Sequence, residues 1–210
     1  MITLLTNLYD SDNTLRQQEL NTCLQKNIEN LAISQMIVFC DRKTFERLEE
    51  LSSVKQILWI IGEGRPSYND FFKAADEYSC NPTRVLTNAD IYIPVSSSHY
   101  FKEIDNGEIW ALSRWEKNKG LYEELWNHRD SQDTWAWWGN IGKLKGADFT
   151  LGLPGCDNRI AKIFLDSGYN VLNPSKTVRT IHLHKSNHRT YNRSQTVPPP
   201  YHFITPHTLK

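Results

Sequence analysis

The chain has 210 residues, 39% of them hydrophobic, and a formal net charge of zero. That length suits one ordinary domain, and the apolar content supports a core that needs no disulfide or metal staple. Zero net charge argues against a nucleic-acid binder held by bulk charge, while leaving room for a locally basic surface.

The first half alternates. ITLLTNL reads as a short buried strand, followed by the polar turn YDSDN. Residues 14–31 then place Leu15, Leu20, Cys23, Leu24, Ile28 and Leu31 near helical spacing, with Asp12 or Asn13 as the cap. MIVFCD is a second strand, KTFERLEELSS a second helix and KQILWIIG a third strand. SYNDFFKAADEYS is a third helix entered through Arg65 and Pro66, and RVLTNADIYIPV is a fourth strand running into a loop. This order predicts βαβ units, a mostly parallel Rossmann-type α/β sheet and helices on both faces. Ligands of such sheets bind beyond the carboxyl ends of the strands, here residues 7–10, 40–41, 62–65 and 88–90.

The second half is less regular. EIWALSRWE and DTWAWWGNI read as strands, and NKGLYEELWNHRD between them as a polar, aromatic loop or short helix. CDNRIAKIFLDSGY is a helix ended by Gly168, and NVLNPSKTVRTIHLH holds a short strand and a second extended piece. From Lys185 the chain turns polar, basic and proline-containing. The expected division is a domain over 1–184 and a tail or wrapping arm over 185–210. Cys23, Cys40, Cys80 and Cys156 are widely spaced with no CxxC pair, so free thiols are expected. The opening residues lack the regions of a signal peptide, and no apolar run reaches the length of a membrane span. A soluble, cytoplasmic protein is the expectation.

Four stretches offer chemistry. In TNADIY, Asp90 can hold Mg²⁺ or Mn²⁺ against phosphate oxygens, with Asn88 pointing the same way if the segment is extended; the alternative is that the two simply make a turn. In GLPGCDNRIA, Asp157 can project into a cleft as a general base or serve as a helix N-cap, and Arg159 could pair with phosphate or with a nearby acid. In TIHLHKS, His182 and His184 share a face and could complete a metal site begun by Asp90, although two histidines at this spacing also arise by chance. In SQDTWAWWG, Asp133 beside aromatic faces could accept hydrogen bonds from sugar hydroxyls, or be an exposed loop acid. Four of the seven tryptophans, Trp126, Trp135, Trp137 and Trp138, cluster here and could form a wall that stacks on a sugar or base. No P-loop, dinucleotide fingerprint or nucleophile elbow is present.

Taken in order, these pieces resemble GT-A glycosyltransferases. The opening strand and helix look like those of the inverting family that includes cellulose and hyaluronan synthases. TNADIY falls where that family has its Asp-x-Asp metal motif, with Asn88 in place of the first aspartate. CDNRIAKIFLDSGY matches the helix that supplies the base, with Cys156 in place of the first acid. The set NADIY, ALSRWE, SQDTW, PGCDNRIA and NPSKTVRTIHLH is similar to a smaller GT-A-like group over residues 2–191.

The resemblance implies a nucleoside-diphosphate-sugar donor, UDP-linked by expectation, transferred with inversion to an acceptor hydroxyl. It implies Asp41 and the loop at Asn7 on the nucleoside, and Asp90 with His184 or His182 on Mn²⁺ or Mg²⁺. Arg65 and Arg114 are candidate phosphate or sugar contacts, Asp133 a donor-sugar contact and Asp157 the base. A GT-A-like module that binds without transferring is the rival, motivated by Asn88 and Cys156. A two-metal hydrolase or nucleotidyltransferase would need a further close acid pair, which the sequence lacks. The acceptor is open: a glycan, a small molecule or modified DNA, the last because His188, Arg189, Tyr191, Arg193, Tyr201 and Lys210 interleave basic and aromatic groups.

Overall fold

The computed structural model describes residues 1–118, 122–186 and 193–209. His188, Arg189, Tyr191 and Lys210, and the side chain of Arg193, fall outside the described residues.

The chain begins with β1 (Ile2–Asn7), α1 (Thr14–Glu29), β2 (Ile33–Cys40), α2 (Arg42–Leu48), β3 (Gln56–Ile61), α3 (Tyr68–Tyr78) and β4 (Thr83–Thr87). The predicted alternation is therefore observed. Asn13 caps α1 by accepting from the Arg16 N–H, and Ser67 with Asp70 forms a reciprocal capping box on α3. Then come β5 (Ile91–Tyr92), a short α4 (Val95–Ser98), β6 (Glu108–Leu112), β7 (Trp115–Asn118), β8 (Tyr122–Leu125), β9 (Thr134–Trp138), α5 (Cys156–Asp166), β10 (Asn170–Leu172) and β11 (Ile181–His182).

Seven strands form the central sheet in the order β10-β6-β9-β4-β1-β2-β3. β1, β2, β3 and β4 pair in parallel, as do β6 and β10, while β9 runs antiparallel between β4 and β6. One core lies on the α3 and α5 side, with Phe71, Phe72, Trp135, Trp137 and Phe164. The other lies on the α1 side, with Leu20, Leu24, Met36, Val85 and Trp110. The sheet is thus covered on both faces, as a parallel sheet requires.

Two readings of the sequence are corrected. The stretch 118–130, expected as a loop or short helix, contributes β8, which pairs antiparallel with β7 in a second sheet of order β5-β11-β7-β8. Leu15 on α1 and Leu31, which lies beyond the end of the helix, are exposed, and Arg16 and Glu19 are buried on α1. The buried stripe is tilted away from the purely apolar one because this face abuts a polar site.

The arm of 193–209 folds back onto the domain. Val197 and Ile204 are buried. Its backbone bonds to Pro154, Asn158, Arg129 and Asn173 through the N–H groups of Val197, His202, Ile204 and His207. No helix among the described residues is long and apolar enough to cross a membrane.

Candidate functional site

A cleft of about 530 Å³ lies at the carboxyl ends of β1 and β4. Its lining includes Asn7, Arg65, Asn88, Asp90, Arg114, Asp133, Asp157, His182 and His184. The topology explains the gathering. Asn7 ends β1, residues 88–90 follow β4, and Arg114 follows β6. Because β9 is antiparallel to its neighbours, its first residues sit at the same end, which brings in Asp133. Asp41 is the exception among the ten candidates. Its side chain caps α2 by accepting from the Thr44 N–H at 2.7 Å, which holds its carboxyl below the usual range, and it does not line the cleft.

One corner of the cleft gathers metal-ligand chemistry. Strand β11 lies between β5 and β7, with His182 opposite Ile91 on one side and Glu116 on the other. This register sets His182 Nε2 3.1 Å from Asp90 Oδ2, and Nδ1 3.1 Å from both Glu116 oxygens. His184 Nδ1 lies 3.6 Å from Asp90 Oδ2. One ligand atom from each of Asp90, His182 and His184 falls within 4.8 Å of the others.

A carboxylate and two imidazoles suit Mn²⁺ better than the all-oxygen preference of Mg²⁺. The Glu116–His182 contact adds the outer carboxylate that commonly orients a metal-binding histidine. The residues therefore fit a divalent cation. Burial pushes the Asp90 carboxyl up, but the charges of His182 and Arg16 outweigh it and hold it well below its usual value. Burial pulls His182 down, yet Asp90 and Glu116 hold it up at about 10. Glu116 is held down at about 2, its burial outweighed by His182 and Arg114.

Of the two readings of Asn88 and Asp90, an extended pair facing one way or a turn, the structure has the turn. After Thr87 the chain turns, with the Ile91 N–H bonded to the Asn88 carbonyl. Asp90 faces the histidines, whereas the Asn88 amide donates to Asp133 Oδ1 at 2.8 Å. Arg114 donates to the other oxygen of Asp133 at 2.8 Å and to Glu116 at 2.5 Å. Arg114 thus ties the Asp133 side of the cleft to the metal corner and fixes both carboxylates.

Asp157 sits in the first turn of α5, behind Gly155. Gly155, not Asp157, occupies the cap, with φ of 77°, so the acid is left to face the cleft. A Cβ at Gly155 would also lie 2.8 Å from the Tyr201 hydroxyl and 3.0 Å from the Val197 carbonyl of the arm. Burial and the neighbouring Asp133 charge push the Asp157 carboxyl up to about 8. The Cys156 thiol donates to Asp157 Oδ1 at 3.1 Å, and burial raises that thiol well above its ordinary value, so it remains protonated. Cys156 therefore acts as a neutral donor beside Asp157.

The cleft also contains Arg16 and Tyr9, which sequence reasoning did not assign to it; Glu116, behind His182, was missed as well. Of the tryptophans expected as a wall, only Trp126 lines the cleft, with the Arg114 guanidinium 5.0 Å from its ring centre. Trp135 and Trp137 are core residues. A charged residue buried on α1 is legible only as a break in the apolar stripe, and Glu116 only once the β7–β11 register is known.

No protein-family model and no curated protein matches the chain. Its fold matches solved structures. One is the mannosyltransferase PcManGT from Pyrobaculum calidifontis in complex with GDP-Man and Mn²⁺, with TM-score 0.54 and 12% identity over 89% of this chain. Another is GalNAc-T7 with UDP, GalNAc and Mn²⁺, with TM-score 0.56 and 8% identity over 89% of this chain. A third is the inositol-1-phosphate CTP transferase from T. maritima, with TM-score 0.50 and 9% identity, covering 81% of this chain and 84% of that one. The chain spans only 58% of the mannosyltransferase and 43% of GalNAc-T7. The fold is GT-A-like.

Proposed function

We propose that this chain is a glycosyltransferase that moves a sugar from a nucleoside diphosphate, UDP by preference, to an acceptor hydroxyl with inversion. The observation that carries the reading is one cleft holding two kinds of group. A metal-competent Asp90–His182–His184 corner and an acid of raised pKa, Asp157, line the same walls.

Asn7, at the end of β1, borders the nucleoside side. A divalent cation, Mn²⁺ or Mg²⁺, held by Asp90, His182 and His184 would offset the charge that builds on the departing diphosphate. Arg65, also on the cleft wall, adds a fixed positive charge toward the same phosphates. Asp133, immobilised by Asn88 and Arg114, accepts hydrogen bonds from donor-sugar hydroxyls. Asp157 takes the proton of the acceptor hydroxyl. The acceptor oxygen then bonds to the anomeric carbon as the bond from that carbon to the diphosphate oxygen breaks, so the nucleoside diphosphate leaves and the configuration inverts.

The test is thermal shift of the full chain with UDP-, GDP-, CDP- and dTDP-sugars plus Mn²⁺, followed by transfer assays against glycans, small molecules and modified DNA. A donor at a hundred times its Kd adds about 2.7 kcal/mol of stability. Stabilisation by a UDP-sugar, with transfer lost in Asp157→Asn, supports the reading. No shift with any sugar nucleotide overturns it. A donor that binds but is neither transferred nor hydrolysed, with or without Mn²⁺, would favour a binding module, the alternative that the departures Asn88 and Cys156 motivate.

A further inference from the structure

Arg16 occupies the metal corner. It is buried on α1, with only 7% of its side chain exposed. Nη2 donates to Asp90 Oδ2 at 2.6 Å and Nη1 lies 2.8 Å from His184 Nδ1. The rest of the guanidinium is held as well: Nε and Nη2 donate to the Tyr9 hydroxyl at 3.3 and 3.1 Å, and Nη1 reaches Glu19 and the Leu183 carbonyl at 3.4 Å. Two of the three groups that could ligate a divalent cation therefore already hold a cation belonging to the chain.

The contact with His184 is decisive. A guanidinium has five N–H donors and no acceptor, so His184 Nδ1 must present its lone pair to Arg16. An imidazole nitrogen has one lone pair in the ring plane. It accepts from Arg16 or it binds a metal, and it cannot do both. At Asp90 the conflict is one of charge: a cation on the oxygen that lies 2.6 Å from the guanidinium would meet a second positive charge in a buried corner, where water screens it little.

We propose that Arg16 and the divalent cation are alternative occupants of the Asp90–His184 pair, so that the ion binds only when the guanidinium withdraws. This inference rests on Asp90, His182 and His184 being the metal ligands. Tyr9 and Glu19 give the displaced guanidinium partners to retain. In the metal-free state Arg16 shields the carboxylate, and it also fixes the His184 tautomer whose lone pair faces the site. The chain carries its own stand-in for the ion, and metal affinity is set by a competition within the protein.

The test is a donor-free Mn²⁺ titration of the full chain by calorimetry, with wild type, Arg16→Gln, Arg16→Lys and Lys185→Gln side by side. Lys185 is exposed, so Lys185→Gln removes one charge beside the site without touching Asp90. Arg16→Gln is expected to bind Mn²⁺ at least about tenfold tighter than wild type, with Lys185→Gln close to wild type. Melting in chelator should be lower for Arg16→Gln than for wild type, and Mn²⁺ should raise it more. If Arg16→Gln does not fold, Arg16→Lys, which cannot bridge Asp90 and His184 as a fork, should still bind Mn²⁺ more tightly than wild type. Equal affinity in wild type and the Arg16 variants overturns the proposal, as does equal tightening by Lys185→Gln. Absence of Mn²⁺ binding in every variant would also overturn it by removing the ligand assignment, while leaving donor binding to be judged by its own thermal shift.

Discussion

His182 and Glu116 face each other across the β7–β11 pair, with Nδ1 of the imidazole 3.1 Å from both carboxylate oxygens. The opposite nitrogen is thereby aimed at Asp90. Glu116→Gln would keep the shape and remove the anion that orients the ring. Mn²⁺ affinity is expected to fall about ten- to a hundredfold, read by calorimetry on the donor-free protein. Unchanged affinity would mean that His182 is not a ligand.

Asp157 is the expected base, so Asp157→Asn should lower kcat by about a hundred- to ten-thousandfold with a smaller change in donor affinity. Initial rates and donor thermal shift on the same preparation measure both. Normal transfer by the variant would exclude the assignment.

The raised carboxyl of Asp157 also sets a pH dependence. A base must be ionised, and this one is held near 8 by burial and by Asp133. Wild-type kcat/KM should therefore climb through about pH 8 rather than level off near the ordinary carboxylate range. A profile that is flat from about pH 6 to about pH 9 would be incompatible with an ionisation at that position.

Stability should move the other way. The folded Asp157 carboxyl binds its proton more tightly than the unfolded one, whose value is near 3.8. Its contribution is complete below that value and is lost as pH rises through about 8. Asp157→Asn carries no such loss, so it should melt above wild type at about pH 9 and much closer to it at about pH 4. Melting curves at the two pH values check the sign.

Gly155→Ala should destabilise the loop that carries the base. The left-handed backbone costs an alanine about 1–2 kcal/mol. The new methyl would also press on Tyr201 and the Val197 carbonyl. Denaturant melts should show a loss at least that large, and proteolysis should reach the arm sooner than in wild type.

Much of this was legible in the sequence because it rests on local pattern. The strand-helix alternation up to Thr87 follows from periodicity, and carboxyl-end binding follows from that alternation. This is why nine of the ten candidate side chains line one cleft. Asp41 lies outside the cleft lining because the same acid at a strand end can serve a helix cap, and here the Thr44 N–H engages it. Asn88 was left between two readings because the direction of its side chain depends on a turn that begins one residue after β4. Arg16 and Glu116 were invisible for another reason. Each owes its role to partners far along the chain, 74 residues away for Arg16–Asp90 and 66 for Glu116–His182. Spacing within one segment cannot encode such pairs.

The arm bears on the order in which the protein becomes competent. The Pro154 carbonyl and the Asn158 carbonyl, on either side of Asp157, are bonded by Val197 and His202. During synthesis the sheet, the histidines and the helix bearing Asp157 all precede the residues that brace that helix start. A nascent chain stopped before residue 197 would thus hold every acid and imidazole of the cleft and still lack the brace behind Asp157.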